Sequence, residues 1–508
     1  MSDNKSKQVA KNTIYLYIRM ILVMAVSLYT SRVVLQVLGI EDFGIYNVVG
    51  SVVVFLSFLQ AALRNATFRY FTYDLGAGNT DSLGKTYSMA INTHMLMALV
   101  LFLLMEIGGI WFINCKMNVV PERLYAANWA FQFSLLTFCI SVIRTPFESN
   151  ILAHERMDFY AITSVAEVFL RLGIVYLLLV IPLDKLIVYG GLTMLVYFSL
   201  FLFYVIFCHY IFKEIRYTKY WDIRILRQFA SYSGWSLLVN AACITRSQCI
   251  NIFFNLFLGV LANAAMGIAN QVVGALNTFV TNFTQAFRPQ LIMSWASKEY
   301  DYFMRVIFST SKMAYFLLLI ISIPVACNIK FWLKIWLGEY PEMAQIYIIS
   351  IILYYLIDAI QEPLVTSVHA TGRLKYHQIM ISTLVFLFIP ISYFMLKFGV
   401  AGEWVLISNA LLNLTCATAR TLYMRNLINL DLHAYFSKVV LPVICVTVLS
   451  LPLPIYLTRV FEANWTNAIL QTLLSMAITT VLCFFVGLSK SERNMVYSFP
   501  IVKKILGK

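Results

Sequence analysis

Charged residues are scarce in this sequence. Only 12% of the 508 residues are Asp, Glu, Lys or Arg, whereas 60% are hydrophobic. A soluble globular protein carries about 25% charged residues, because these residues solvate its surface. The shortage of charge excludes a cytosolic enzyme, a secreted domain and a nucleic-acid-binding protein, in spite of a formal net charge of +14. It indicates an integral membrane protein.

Motifs for metal binding or catalysis are also missing from the sequence. The nine cysteines lie singly along the chain, with no C-x-x-C, no H-E-x-x-H and no Cys/His cluster at the spacing of metal ligands. Single cysteines in apolar stretches behave as small packing residues. We therefore expect no metal site and no catalytic residue.

Apolar stretches long enough to cross a bilayer recur along the whole chain. A spanning helix needs about 20 mostly apolar residues. The sequence therefore predicts an all-α integral membrane protein with about 14 transmembrane helices, the first, second and seventh of which contain charges. These predicted spans are 13–38, 43–70, 87–113, 124–152, 159–181, 187–212, 232–258, 264–288, 306–328, 343–368, 376–397, 403–424, 437–459 and 466–487.

Lysine and arginine are unevenly distributed over the short loops between the predicted spans. If the N-terminus lies in the cytoplasm, most of these cations fall on the inner side, as the positive-inside rule requires. We therefore expect a multi-pass protein with both termini in the cytoplasm. The longest inner connection, 213–231, contains Trp221 and Phe229 among basic residues, which predicts an amphipathic linker helix on the membrane surface.

Two segments of the second half repeat segments of the first. VVGSVVVFLSFLQAALR (48–64) aligns with VVGALNTFVTNFTQAFR (272–288), and PFESNILAHERMDFY (146–160) aligns with PLVTSVHATGRLKYH (363–377). An even number of spans in each half predicts a parallel repeat, an arrangement in which transporters bind substrate between the halves. The predicted parts are an N-terminal six-helix lobe (1–212), the linker (213–231), a C-terminal six-helix lobe (232–424), and two extra helices with a basic cytoplasmic tail (425–508).

Polar residues recur at helical spacing on spans of both halves. Asn240 and Asn251 share a face of the seventh span, and Asn270, Asn277 and Arg288 share a face of the eighth. Polar stripes are costly in lipid unless they face protein or water. They indicate either a water-filled cavity between the halves or hydrogen bonds between helices.

Several arginines within the predicted spans are candidates for binding an anion. Arg64 is the repeat partner of Arg288, and Arg19, Arg32 and Arg246 have no acidic residue at helical spacing. A pocket with several guanidinium groups favours pyrophosphate or acidic sugars, because each guanidinium can bind such groups through two hydrogen bonds.

Three carboxylates are candidates for coupling transport to an ion gradient. Asp358 and Glu362 lie four residues apart, and two nearby carboxylates in a low dielectric make a reversible proton site. Glu148 follows Pro146, which is the repeat partner of Pro363, and the two prolines are candidate hinges. The alternative is that each acid only forms hydrogen bonds that stabilise packing.

Three blocks of this sequence resemble a known transporter family. They are SRVVLQVLGIEDFGIYNVVGSVV (31–53), PFESNILAHERMDFYAI (146–162) and EPLVTSVHATGRLKY (362–376). With these blocks the chain resembles the polysaccharide transporter family, the O-antigen (Wzx-type) flippases of the MATE-like multidrug/oligosaccharidyl-lipid/polysaccharide exporter (MOP) superfamily.

The resemblance implies a function in the bacterial inner membrane. Such proteins flip undecaprenyl-pyrophosphate-linked oligosaccharide units of O-antigen, capsule or exopolysaccharide to the outer leaflet by alternating access. The resemblance also implies coupling to H+ or Na+, no other cofactor, and partnership with a polysaccharide polymerase and a chain-length regulator. It assigns Arg32, Arg64 and Arg246 to a cationic cavity. Ser247 and Gln248 stand where many relatives carry an acid, which leaves coupling to Glu148, Asp358 and Glu362.

Three other functions agree less well with the sequence. A MATE-type drug/cation antiporter belongs to the same superfamily, but it would need an acidic cavity for cationic substrates. A membrane-embedded polysaccharide polymerase or glycosyltransferase would need a sizeable outer loop or an acidic catalytic motif, and the sequence has neither. A scaffold without transport activity would not need a repeat with polar stripes.

Overall fold

The protein is built almost entirely from α-helices. Its computed structural model describes residues 2–54, 57–115, 120–212, 216–460 and 464–497, and these ranges contain no β-strand. The predicted all-α membrane fold is therefore confirmed. The helices are α1 (Ser2–Val54), α2 (Ser57–Gly76), α3 (Thr80–Cys115), α4 (Pro121–Ala153), α5 (Met157–Leu177), α6 (Lys185–Ile211), α7 (Ile223–Ala296), α8 (Tyr300–Cys327), α9 (Ile329–Leu337), α10 (Met343–Thr371), α11 (Lys375–Lys397), α12 (Gly402–Ile428), α13 (Leu432–Tyr435), α14 (Leu441–Ser450), α15 (Pro452–Val460), α16 (Trp465–Leu482) and α17 (Lys490–Tyr497).

Ten helical segments in the described residues are long and apolar enough to cross a membrane. They match ten of the predicted spans. The other four predicted spans, 13–38, 43–70, 264–288 and 403–424, lie in helical segments that are not among the ten. The span 403–424 illustrates how polar residues lower the hydropathy of such a helix, because it carries Asn409, Asn413 and Arg420.

Two long helices are each interrupted by one glycine. Gly39 in α1 has φ 81° and ψ 168°, and Gly259 in α7 has φ 82° and ψ −178°. Only glycine adopts this region readily, because a Cβ atom would clash with the backbone. The two glycines are 220 residues apart, and each lies between two predicted spans.

The turns that follow these interrupted helices, between α2 and α3 and between α7 and α8, are also related by a shift of 220 residues. Between α2 and α3 the Asn79 N–H donates to the Asp74 carbonyl, and between α7 and α8 the Glu299 N–H donates to the Ser294 carbonyl. The residue before each donor, Gly78 or Lys298, has a positive φ. The sequence repeat is thus accompanied by a repeat of helix ends and hydrogen bonds.

The chain divides into two compact units. One is Asn12–Leu237, and the other combines Met1–Lys11 with Leu238–Lys508. In the first unit α4 packs against α3 and α6, with Phe131 and Leu135 fully buried. In the second unit α10 packs against α8 and α12, with Tyr347 buried. The predicted linker 213–231 falls inside the first unit.

Only part of the predicted surface helix over 213–231 is helical in the described residues, and that part, 223–231, belongs to α7. Residues 216–222 are not helical, and α7 begins at Ile223 and continues into the seventh predicted span. Side chains of α3 hold this non-helical segment, since Asn92 donates to the Tyr220 carbonyl and Ser88 accepts from the Thr218 N–H. Residues 213–215, and 498–508 of the predicted basic tail, lie outside the described residues.

Candidate functional site: two arginine clusters

The unit Asn12–Leu237 contains a chain of ion pairs across α2, α4 and α5. From Arg64 to Glu148 the nearest nitrogen and oxygen are 3.9 Å apart, and from Glu148 to Arg144 they are 3.8 Å apart. Arg144 also approaches Glu167 at 3.5 Å, and Glu167 accepts from Arg171 at 2.6 Å. These five residues, called the N-cluster here, hold three positive and two negative charges.

Tyrosines of α6 cover part of the N-cluster. The guanidinium carbon of Arg144 lies 5.5 Å from the ring centre of Tyr197 and 5.3 Å from that of Tyr204. Arg171 lies 5.0 Å from the Tyr197 ring and donates to its hydroxyl. Aromatic faces attract guanidinium groups without neutralising them. The tyrosines therefore fix the arginines and leave the excess positive charge in place.

The sequence identified only part of the N-cluster. In the sequence, Arg144 and Glu148 are four residues apart, and so are Glu167 and Arg171, a spacing at which each pair can neutralise itself. In the structure the contact between Arg144 and Glu167 joins them across two helices, and Arg64 adds a third cation. The sequence could not reveal this contact, because it depends on how α4 packs against α5.

The second unit contains a polar cluster around Arg246 of α7. Arg246 is 9% exposed and donates to Asn409 of α12 and, at 3.1 Å, to the hydroxyl of Tyr354 of α10. Its guanidinium carbon also lies 5.0 Å from the Tyr354 ring centre. Asn413 of α12 donates to the Tyr354 carbonyl at 3.0 Å, which fixes the same turn of α10.

Arg420 of α12 extends this cluster toward α11. Its Nε donates to His377 Nε2 at 3.1 Å, and a terminal nitrogen donates to the side-chain oxygen Oε1 of Gln361 at 3.3 Å. Because a guanidinium only donates, the imidazole of His377 is neutral and carries its proton on Nδ1. His377 and Arg420 are both buried, and neither is among the site residues predicted from the sequence.

The carboxylates Asp358 and Glu362 lie within reach of the same arginines. Asp358 lies near Asn413 and interacts electrostatically with Arg420 and Arg246. Glu362 interacts electrostatically with Asp358, Arg288 and Arg420. The predicted proximity of the two acids is thus accompanied by three arginines. We call Arg246, Arg288, Arg420, Asp358 and Glu362 the C-cluster, and it again holds three positive and two negative charges.

The remaining predicted site residues belong to neither the N-cluster nor the C-cluster. Arg19 of α1 donates to the Tyr160 hydroxyl at 3.2 Å, with its guanidinium carbon 4.5 Å from the centre of that ring. Asn270 is exposed, whereas the side chains of Asn240, Asn251 and Asn277 are half-buried. Arg32 lies in α1, but its side chain falls outside the described residues.

The two predicted hinge prolines lie inside continuous helices. Pro146 is part of α4 and Pro363 is part of α10, and both are buried. Proline in a helix removes one backbone hydrogen bond without necessarily ending the helix. Their role as hinges stays a prediction. Among the described residues there is no group of three or more His, Cys, Asp or Glu side chains that could hold a metal ion.

Comparison with known proteins identifies the fold. No protein-family model and no curated protein matches the sequence. Solved structures do match: an outward-facing multidrug resistance MATE family transporter of the MOP superfamily superposes with a TM-score of 0.69 at 13% identity, covering 84% of this chain and 98% of that chain. A Vibrio cholerae MATE transporter gives a TM-score of 0.68 at 17% identity, covering 86% of this chain and 100% of that chain.

A third similar structure differs in the polarity of its pocket. It is a MOP superfamily transporter from Pyrococcus furiosus, with a TM-score of 0.68 at 14% identity, covering 84% of this chain and 96% of that chain. Its structure is described as having a binding pocket of reverse polarity that suggests a different function. The present chain is therefore a multi-pass membrane protein with the MATE transporter fold.

Proposed function

We propose that this protein flips undecaprenyl-pyrophosphate-linked oligosaccharide units from the inner to the outer leaflet of the bacterial inner membrane by alternating access. The observation that carries the proposal is the excess of arginine over carboxylate in both the N-cluster and the C-cluster. Guanidinium groups bind phosphate oxygens through paired, charge-assisted hydrogen bonds. An intramembrane cluster with surplus arginine therefore suits a pyrophosphate better than a cationic drug.

The fold supports a transporter, and the charge of the clusters supports an anionic substrate. The Pyrococcus furiosus protein is a precedent for the idea that pocket polarity separates functions within this superfamily. A MATE-type drug/cation antiporter has the same fold and is the main alternative. It would require carboxylates to outnumber arginines where the substrate binds, which neither cluster provides. A polymerase or glycosyltransferase would need a sizeable outer loop or an acidic catalytic motif, and the sequence has neither.

The carboxylates of the two clusters are proposed to couple flipping to an H+ or Na+ gradient. Glu148 lies between Arg64 and Arg144, and Asp358 and Glu362 lie among Arg246, Arg288 and Arg420. A carboxylate held by arginines can exchange its partner for a proton or for the substrate phosphate as the transporter changes state. A polysaccharide polymerase and a chain-length regulator are the proposed partners, since they would consume the flipped units.

A liposome assay tests the proposed function. The protein is reconstituted with fluorescent undecaprenyl-pyrophosphate oligosaccharides, and their exchange between leaflets is followed with and without imposed pH and Na+ gradients. We expect protein-dependent exchange that falls at least about tenfold in Arg64→Ala, because a charged hydrogen bond to phosphate contributes about 1.5–3 kcal/mol. Arg305→Ala, which removes an exposed arginine in the first turns of α8, is the matched control and is expected to retain exchange.

Two outcomes would contradict the proposal. Wild-type liposomes that show no exchange with any of the oligosaccharides, yet accumulate a cationic dye against a gradient, would favour the drug antiporter. Equal exchange by the wild type and Arg64→Ala would remove the N-cluster from substrate binding.

A further inference from the structure

The non-helical segment before α7, residues 216–222, is hydrogen-bonded to the beginning of the third predicted span. The Tyr217 hydroxyl donates to Asn92 at 3.0 Å, and Asn92 donates to the Tyr220 carbonyl at 2.9 Å. The Thr218 N–H donates to Ser88 at 3.0 Å. Ser88 and Asn92 belong to the first turns of the predicted span 87–113. The segment therefore lies at the level where that span leaves the hydrocarbon, which is the depth of lipid headgroups.

The same segment presents large apolar side chains to its surroundings. Tyr217 is 53% exposed, Trp221 is 54% exposed and Ile223 is 62% exposed. Tyrosine and tryptophan are enriched at this depth of membrane proteins, because their rings contact acyl chains while their polar atoms contact headgroups and water. The exposure of these side chains at a fixed level thus fits contact with a bilayer interface.

Basic side chains alternate with these apolar residues. Arg216, Lys219, Arg224 and Arg227 are all exposed, and Asp222 is the single acid between residues 216 and 227. Asp222 is engaged within the protein, since it accepts from the Arg224 N–H at 2.7 Å and from the Tyr220 hydroxyl at 3.1 Å. The hydrogen bond from the Arg224 N–H lowers the pKa of the Asp222 carboxyl. Residues 216–227, called the strap here, thus carry four cations and one carboxylate that is already hydrogen-bonded within the protein. The strap therefore has a surplus of positive charge.

We propose that this strap is a binding site for anionic phospholipids of the leaflet that it faces. Its exposed arginines and lysine would bind lipid phosphates, and Trp221 and Tyr217 would insert beside the glycerol backbone. The positive-inside rule explains why cations lie on this side, but it does not require them to be interleaved with exposed aromatic residues on a segment that hydrogen bonds hold in place. The inference is independent of the transported substrate.

Native mass spectrometry of the full-length protein tests the proposal. The purified protein is titrated with phosphatidylglycerol and, separately, with phosphatidylcholine, and the bound lipids are counted. We expect the wild type to retain phosphatidylglycerol preferentially. In the variant Arg216→Gln/Lys219→Gln/Arg224→Gln/Arg227→Gln we expect the affinity for phosphatidylglycerol to fall about tenfold or more, since each basic residue near an anionic surface adds a several-fold factor.

A second quadruple variant controls for the loss of charge. Lys85→Gln/Lys298→Gln/Arg305→Gln/Arg373→Gln removes four other exposed cations from the predicted cytoplasmic side and is expected to keep the preference. Glycerol phosphate is added as a soluble competitor, and we expect it to leave lipid binding unchanged. Circular dichroism and the unfolding temperature in phosphatidylcholine verify that both variants fold.

Three results would overturn the proposal. The first is a wild type with no preference for phosphatidylglycerol. The second is an equal loss of lipid in the two quadruple variants, which would mean that the whole basic face attracts lipid without a defined site. The third is displacement of the lipid by glycerol phosphate, which would indicate a site for soluble phosphates.

Discussion

Lys298 occupies a backbone conformation that residues with a side chain rarely adopt. Its φ is 61°, and it stands in the turn between α7 and α8 where the corresponding turn of the first unit has Gly78 with φ 68°. Both turns form the same backbone hydrogen bonds. A left-handed conformation costs a residue with a Cβ atom roughly 1–2 kcal/mol, and glycine avoids this cost.

The variant Lys298→Gly is therefore expected to stabilise the protein. Part of the gain is offset because glycine loses more conformational entropy on folding, so we expect a net gain of about 0.5–1 kcal/mol. The reverse change, Gly78→Lys, is expected to destabilise by a similar amount. The measurement is the midpoint of thermal unfolding in detergent, followed by size-exclusion chromatography. A lower midpoint for Lys298→Gly would show that the lysine side chain stabilises this turn by another contact.

The glycines that interrupt α1 and α7 affect the course of whole helices. At Gly39 and Gly259 the backbone combines φ near 80° with ψ near 180°, and no heavy atom lies within 4 Å of the position of an added Cβ. An alanine there would meet no neighbouring atom, so the cost of substitution comes from the backbone alone. This region of φ and ψ costs a residue other than glycine about 1–3 kcal/mol.

We expect Gly39→Ala and Gly259→Ala each to lower stability by about 1–3 kcal/mol. Gly50→Ala and Gly274→Ala are matched controls, since these repeat-related glycines are helical and also have space for a Cβ. The controls are expected to raise stability by up to about 1 kcal/mol, because alanine is the better helix former. Unfolding midpoints of the four variants give the comparison. A stabilised Gly39→Ala would mean that α1 can continue through residue 39 as a straight helix.

A buried ion pair attaches α17 to α8. Lys312 Nζ lies 2.6 Å from the Glu492 carboxylate, and both side chains are largely buried. Glu492 also accepts from the Ser489 N–H at 2.8 Å, which caps the start of α17. The lysine would be an uncompensated charge in a predicted span without this partner.

Removal of one partner is expected to be much more damaging than removal of both. We expect Glu492→Gln to destabilise the protein by about 3–5 kcal/mol, because it leaves a buried ammonium without its counter-charge. The double variant Lys312→Met/Glu492→Gln should recover most of this loss. Thermal unfolding of the two single variants and the double variant gives the coupling free energy. Additive losses would show that the two residues act independently.

At the scale of elements, the sequence predicted what depends on local composition. Runs of apolar residues predicted the helices, and the two breaks at Gly39 and Gly259 fall where the predicted spans end. The part of the strap before α7, residues 216–222, was wrongly predicted as a helix, because its conformation depends on Asn92 and Ser88, which are more than 100 residues away in sequence. Contacts of that kind leave no periodic pattern in the segment itself.

At the scale of the whole molecule, the repeat and the resemblance led to the MATE fold, whereas the role of the site residues stays a prediction. Arg64, Arg246, Glu148, Asp358 and Glu362 were selected because a charge inside an apolar span is costly. Their partners Glu167, Arg171 and Arg420 were not selected as site residues, although they also lie in predicted spans. Glu167 and Arg171 lie four residues apart, so in the sequence they look like a neutral pair. Only the packing between helices reveals that each cluster has one arginine more than its carboxylates can balance.

In the proposed function, that imbalance assigns substrate binding to the arginines and energy coupling to the carboxylates. If the arginines bind the substrate and the carboxylates carry the coupling ion, then removing the carboxylates must abolish gradient-driven transport and leave passive exchange. We therefore expect Asp358→Asn/Glu362→Gln to flip the lipid-linked oligosaccharide down its gradient at near wild-type rate, and to lose at least about tenfold of its accumulation against a gradient, since coupling free energies are typically 1–3 kcal/mol. Asp301→Asn, an exposed acid in the first turn of α8, is the control. Undiminished accumulation in the double variant would assign coupling to Glu148 of the N-cluster, and loss of both activities would place the two acids in substrate binding.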